Sequence, residues 1–149
     1  MKTMKLSLIA VCAILSFSSC SKDQVIEAPS IVGNWKVDKV KIIYYSSGTQ
    51  FWDTTVNNVT NWLGVTYYYN FKVDKSFEDK SVEKNTGNIT SSVGTYNLKG
   101  SNLTLNYKDL TVEEFENVSF DANRLVMTIY DPSKTDPDRT ISTWECSRQ

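Results

Sequence analysis

From residue 64 onward, apolar side chains recur at every second position. Val65, Tyr67, Tyr69, Phe71 and Val73 alternate with Thr66, Tyr68, Asn70 and Lys72, the two-residue period of a β-strand with one face buried. Leu103, Leu105 and Tyr107 repeat the rhythm, as do Leu125, Met127 and Ile129. Between these runs stand Asp74-Lys75-Ser76, Lys99-Gly100-Ser101-Asn102 and Asp121-Ala122-Asn123, whose residue types favour hairpin turns. The pattern predicts about eight strands, near 33–45, 64–73, 76–84, 92–98, 103–108, 112–120, 124–130 and 139–147. A helical stripe is missing downstream of the N-terminal segment, apart from a turn of helix that Asp109 to Glu116 could form.

The first of these strands breaks its own rhythm. Trp35 and Val37 share one parity, whereas Val40, Ile42 and Tyr44 share the other. One inserted residue between Val37 and Val40 restores a single buried face, which is what a β-bulge does, and bulges let a sheet bend and close on itself. Eight antiparallel strands joined by hairpins fit an all-β fold, an up-and-down barrel without exposed edges.

The N-terminal segment follows a different pattern. Lys2 and Lys5 precede an apolar run from Leu6 to Phe17, too short to span a bilayer and typical of a secretion signal. Its ending, Leu15-Ser16-Phe17-Ser18-Ser19-Cys20, resembles a bacterial lipobox. That resemblance implies a lipoprotein signal peptide over 1–19, lipidation at Cys20, and a membrane partner reached through the acyl chains. Ser18 and Ser19 would also suit an ordinary signal whose cysteine is incidental. Residues 20–30 are polar, end near Pro29 and read as a tether. The remaining 31–149 is long enough for one compact domain.

Charge and composition narrow the chemistry. The chain has 16 basic and 17 acidic residues, and with Lys2 and Lys5 set aside the balance is 14 against 17. No basic stripe is present to draw nucleic acid. Cys146 is the one cysteine left after the signal and the lipidation site are assigned, so the domain has no internal disulfide, and its alternating surroundings suit a small buried hydrophobe. The sequence contains no histidine, which removes histidine-based triads, histidine zinc centres and histidine proton shuttles. A hydrolase built on two carboxylates is the remaining enzymatic alternative, but the spacing of Asp53, Asp74, Glu78, Asp79, Glu113, Glu114 and Glu116 picks out no pair. No cofactor or metal site is expected. In the loop Asp131 to Asp138, two prolines and Lys134 favour a rigid connection over a calcium site.

Gly33-x-Trp35 at the start of the first strand, a meander of strands, and Arg148 near the end of the last resemble the lipocalin pattern. Gly94-Thr95-Tyr96-Asn97-Leu98 and Gly100-Ser101-Asn102-Leu103-Thr104-Leu105 are similar to segments of the small lipocalin-like lipoproteins of Gram-negative bacteria. The resemblance implies a lipocalin-like β-barrel on the Gram-negative cell envelope, anchored to the outer membrane on its periplasmic face or at the cell surface. It also implies a structural plug in which the Arg148 guanidinium lies across the Trp35 indole beside Gly33. The function implied is binding without catalysis.

Two segments carry the binding expectation. Ser46 to Leu63 reads as a long connection containing Phe51, Trp52, Trp62 and Leu63, and long loops usually serve a function. In lipocalins the corresponding loop is a lid, which makes Trp52 and Trp62 candidate mouth residues; the alternative is that these aromatics fold back over a satellite core. Tyr67, Tyr69 and Phe71 share one face and are candidates for the wall of a small-molecule site. They would serve equally well to fill the barrel. The expected partner is therefore a small hydrophobic ligand in or at the mouth of the barrel, or, with a filled interior, a protein met by an interaction or inhibitor module.

Overall fold

Asp38 is the residue that bends the first strand. In the computed structural model, which describes residues 30–149, Val37 pairs with Cys146 and Lys39 with Glu145, leaving Asp38 unpaired between them. The bulge turns both Val37 and Val40 inward, at 1% and 7% exposure, as the change of parity between them predicts. The signal-like segment, Cys20 and the rest of the tether before Ser30 lie outside the described residues.

The elements are β1 (Gly33–Ser46), β2 (Thr49–Val56), α1 (Val59–Leu63), β3 (Val65–Phe71), β4 (Ser76–Glu83), β5 (Ile89–Lys99), β6 (Asn102–Tyr107), β7 (Val112–Phe120), β8 (Arg124–Asp131) and β9 (Thr140–Arg148). All pairings are antiparallel. Strands β3 to β9 follow one another in order, and β1 joins β3 to β9. The result is a closed eight-stranded antiparallel β-barrel with almost no helix. The ninth strand, β2, lies outside the ring. It shares one edge of β1 with β3: Gly33 to Lys36 pair with β3, and Val40 to Ser46 pair with β2.

Two expectations are corrected here. Ser46 to Leu63 is not an irregular loop but a hairpin strand followed by a short helix. The Ser47-Gly48 turn starts β2, while Asn58 caps α1 by accepting from the Asn61 N–H at 2.9 Å and Gly64 closes it. Asp109 to Glu116 holds no helix either. A tight turn ends at Thr111 and β7 begins at Val112, with the Asp109 carboxylate accepting from the Thr111 N–H at 3.0 Å.

One end of the ring is closed by its own side chains. Trp35, Phe71, Phe77, Leu103 and Leu125 are at most 1% exposed, and each contributes about 1.5–3 kcal/mol by leaving water. Phe71 meets Tyr96 edge-on at 5.1 Å, and Phe77 meets Tyr107 edge-on at 5.0 Å. Gly94 belongs to the same packing. A β-carbon there would stand 2.1 Å from the Asn106 carbonyl oxygen and 2.7 Å from the Phe77 ring, so β5 and β6 approach this closely only around a glycine. A second bulge, at Asn117 and Val118 against Met127, lets Phe115 and Val118 both face inward. Asn117 adopts φ 52° there, a left-handed conformation that asparagine tolerates better than most residues.

Candidate functional site at the mouth of the barrel

The two ends of the barrel differ in what their strands carry. Toward the closed end, the turns 72–75, 100–101 and 121–123 are tied to neighbouring strands by Tyr96 N–H to Lys75 O, Val118 N–H to Ser101 O, and Arg148 N–H to Asn123 O. The β1–β2 hairpin, α1, the β4–β5 and β6–β7 turns and the β8–β9 loop gather at the other end.

Lumen-facing positions open toward that mouth. In register with the buried Tyr69 and Phe115, Tyr67, Asp79, Ser81, Glu113, Ile129, Ser142 and Trp144 are half-buried, and Thr90 and Ser92 are exposed. Inside this upper half the Tyr107 hydroxyl stands 3.1 Å from Asp79 Oδ2 and 3.0 Å from Glu113 Oε2. Asp79 Oδ1 accepts from the Ser92 N–H at 2.9 Å. The Tyr107 hydroxyl donates toward both carboxyl groups and carries one hydrogen to share between them. Burial holds the Glu113 carboxyl above the usual carboxylate range, with the Asp79 charge adding and the Tyr107 hydroxyl opposing. The same surroundings push the Tyr107 phenol up, chiefly through burial and then through the two carboxylates. Trp144 packs edge-on against Tyr67 at 6.2 Å, and its indole N–H is enclosed without a partner.

Above the lumen the β1–β2 hairpin carries an aromatic surface. Tyr44 pairs with Trp52 across the strands, their rings 5.2 Å apart. The register slips between Tyr44 and Tyr45 so that Phe51 has no partner, and it stands 82% exposed. Tyr44, Tyr45, Ser46, Phe51 and Trp52 border an open hollow of about 490 Å³. On the other face the Arg139 guanidinium lies 4.1 Å from the centre of the Tyr45 ring. A second and larger cleft of about 880 Å³ lies where β7 and β8 part above Phe115 and Ile129, bordered by Glu113, Ile129, Asp131 and Ser142 among others.

At the opposite end the guanidinium of Arg148 lies 4.5 Å from the centre of the Trp35 ring, while its Nη2 donates to the Ser30 carbonyl at 2.8 Å. Trp35 Nε1 donates to the Ile31 carbonyl at 2.7 Å. Gly33 has φ 143°, and a β-carbon on it would lie 3.0 Å from Arg148 Nη1. A family model described as a lipocalin-like domain matches residues 31–127, more than half of the chain. The chain belongs to the lipocalin-like domain family. It is similar to a lipocalin-like protein from Bacteroides uniformis ATCC 8492, at 16% identity over 79% of this chain and 97% of that one, with a TM-score of 0.47. It is also similar to an uncharacterized protein from Bacteroides eggerthii DSM 20697, at 11% identity over 80% of this chain and 100% of that one, with a TM-score of 0.49. No curated protein matches it. The lipocalin-like barrel suggests a role of the ligand-binding or carrier type.

Within this lipocalin-like barrel the sequence-predicted residues divide into three groups. Gly33, Trp35 and Arg148 meet at the closed end. Tyr69 and Phe71, expected either to wall a cavity or to fill the barrel, are core residues at 5% and 1% exposure, stacked on one another at 6.1 Å; the barrel is filled at their level. Tyr67 lies one step nearer the mouth and is half-buried. Trp52 and Trp62 are both at the mouth, 46% and 54% exposed, but on separate elements. Val59 sends α1 into the core at 1% exposure while Trp62 and Leu63 stay outside. Sequence reasoning missed Tyr44 and the meeting of Asp79 with Glu113 through Tyr107. Alternation of Gln50, Trp52, Thr54 and Val56 after Ser47-Gly48 is the hairpin signal that would have paired Tyr44 with Trp52. The carboxylates come from β4 and β7, which are not neighbours in the ring, so no local pattern announces them.

Proposed function

We propose that this lipocalin-like chain is a lipid-anchored binding protein of the Gram-negative outer membrane that takes a small hydrophobic ligand at the mouth of its barrel. The observation that carries this reading is the placement of exposed apolar side chains. Of the ten large hydrophobic residues exposed among the described residues, eight lie at the mouth end: Tyr44, Phe51 and Trp52 on the hairpin, Trp62 and Leu63 on α1, and Ile89, Leu110 and Val112 at the turns. Exposed apolar surface gathered in one place marks a binding region. The lumen below turns polar at Asp79, Ser92 and Glu113 and then fills with aromatic rings, so the apolar part of a ligand fits the hairpin rather than the deep interior. The anchor part of the proposal rests on the Leu15 to Cys20 pattern.

Titration of tryptophan fluorescence with fatty acids, retinoids and bile-acid-like compounds tests the reading. A saturable change is expected with one of these classes, weakened at least about tenfold in a Phe51→Ser, Tyr44→Ser double variant that keeps both mouth tryptophans; tenfold corresponds to about 1.4 kcal/mol. Absence of any saturable change would overturn it. The filled interior at Tyr69 and Phe71 favours a second reading, an interaction or inhibitor module whose aromatic hairpin docks on a protein. Capture of one defined partner by the full chain, lost on removal of residues 50 to 63, would select that reading instead. No catalytic step is proposed for either.

A further inference from the structure

The closed end of the barrel is as distinctive in charge as the mouth is in apolar surface. The turn between β3 and β4 carries Lys72 and Lys75, the end of β5 Lys99, the start of β8 Arg124, and the end of β9 Arg148. All five are exposed. Among the described residues, the same turns carry two acidic side chains, Asp74 and Asp121, and Glu114 and Glu116 border a cleft with Lys99, although acidic residues outnumber basic ones in the chain as a whole. Asp74 is engaged with Ser76 and Asp121 with the backbone N–H groups of Asn123 and Arg124. Arg124 also reaches Glu145, which it shares with Lys39, while Lys72 and Lys99 form no ion pair among the described residues. Val73, at the tip of the first of these turns, is 82% exposed. At the mouth the charges nearly balance: Glu83, Asp109, Asp131, Asp136 and Asp138 stand among Lys84, Lys108, Lys134 and Arg139.

The chain enters the domain at this same basic end, since Arg148 holds the Ser30 carbonyl. Ten residues, Cys20 to Pro29, separate the lipidation site from that point, a contour of at most about 35 Å. The 14 residues of β1 cover about 46 Å along the strand, and about 35 Å along the axis of a barrel with ordinary strand tilt. Bringing the mouth onto the anchoring bilayer would therefore draw the tether taut along the barrel wall, whereas the closed end reaches that bilayer with the tether slack.

We infer that the closed end docks on the anionic phosphate headgroups of the bilayer that holds the anchor, through Lys72, Lys75 and Lys99 with Val73 at the tip, and that the mouth is presented away from that bilayer. This rests on the anchor in the proposed function and adds an orientation to it. Ligand then reaches the aromatic hairpin from the aqueous side. The contact is electrostatic, falls off within a Debye length and weakens with salt.

The test uses the full chain, acylated in a Gram-negative host and reconstituted into phosphatidylcholine vesicles with or without phosphatidylglycerol. A fluorophore is attached at Ser101→Cys in a closed-end turn or at Ser133→Cys in the β8–β9 loop; Cys146 is buried and stays unlabelled. With headgroup-nitroxide lipids, the label at position 101 should be quenched several-fold more than the label at position 133 when phosphatidylglycerol is present. The bias should shrink in high salt and in a Lys72→Glu, Lys75→Glu, Lys99→Glu variant whose melting matches the parent. Equal quenching at the two positions, or a bias unchanged by charge reversal, overturns the docking. The mass of the N-terminal peptide reads the anchor separately: acyl chains with unbiased quenching refute the orientation alone, and an unacylated Cys20 refutes the anchor and the orientation together.

Discussion

The two ends of this barrel are made from the same strands but solve opposite problems. At the closed end a tryptophan is buried to 0% exposure, its N–H satisfied and its face covered by an arginine. At the mouth another tryptophan, Trp52, stands half in water against a tyrosine. An aromatic residue contributes to stability according to how much of it leaves water and how tightly its neighbours fit it, and by that measure the closed end holds the fold while the mouth is free to vary. Stability and recognition are thus separated along one axis, which lets the aromatic hairpin change without loss of the barrel.

The separation can be broken most directly at Trp35. Trp35→Ala should cost about 3–5 kcal/mol through the cavity it leaves, read as a lower urea midpoint at unchanged slope. A midpoint within error of the parent would mean that the closed end does not hold the fold. Next in size is Gly94→Ala, where the new β-carbon meets the Asn106 carbonyl and must push β5 from β6, for about 1–3 kcal/mol. The same denaturation series measures it, and a neutral result would show that the sheet yields there. At the mouth, Trp52→Ala should change stability by no more than about 0.5–1 kcal/mol while abolishing the saturable response to a bound apolar compound. A large loss of stability from this substitution would erase the contrast between the ends.

The smallest effect belongs to the carboxyl pair in the lumen. The folded protein holds the Glu113 proton more tightly than the unfolded chain does, so the stability it contributes is fully present below the usual glutamate range and is lost as pH rises through its raised value. Glu113→Gln should flatten that part of the stability profile, leaving a modest difference because the group is only half-buried. A Glu113→Gln profile that runs parallel to the parent's over this window would contradict the raised Glu113 pKa.

Much of the closed end is legible in sequence because its signals are local. Gly33-x-Trp35 sets a left-handed φ and a buried ring within three residues, and the parity break between Val37 and Val40 announces the bulge. The mouth is harder to read. β2 is short, its same-face positions Trp52 and Val56 are separated by the polar Thr54, and a bulge at Phe51 shifts the register ahead of them, so its period looks like that of a loop. α1 has only five residues, too few for a helical stripe, and its marks are an asparagine before it and a glycine after it. Tyr67, Tyr69 and Phe71 share a face, as alternation requires, but alternation says which way a side chain points and not whether space remains in front of it. That depends on Phe115, Phe77 and Tyr96 arriving from other strands.

One pairing described above governs when the barrel can form at all. Trp35 lies opposite Arg148 and Val37 opposite Cys146, so the seam is sewn between the first and last strands of the domain, across the whole length of the folded chain. Contacts of such sequence separation form slowly and late. Until residues 140–148 have emerged, β1 and β8 each present an unpaired row of backbone groups that invites pairing with a neighbouring chain. The final stitch of this architecture joins its two ends, so closure of the ring is what removes those edges.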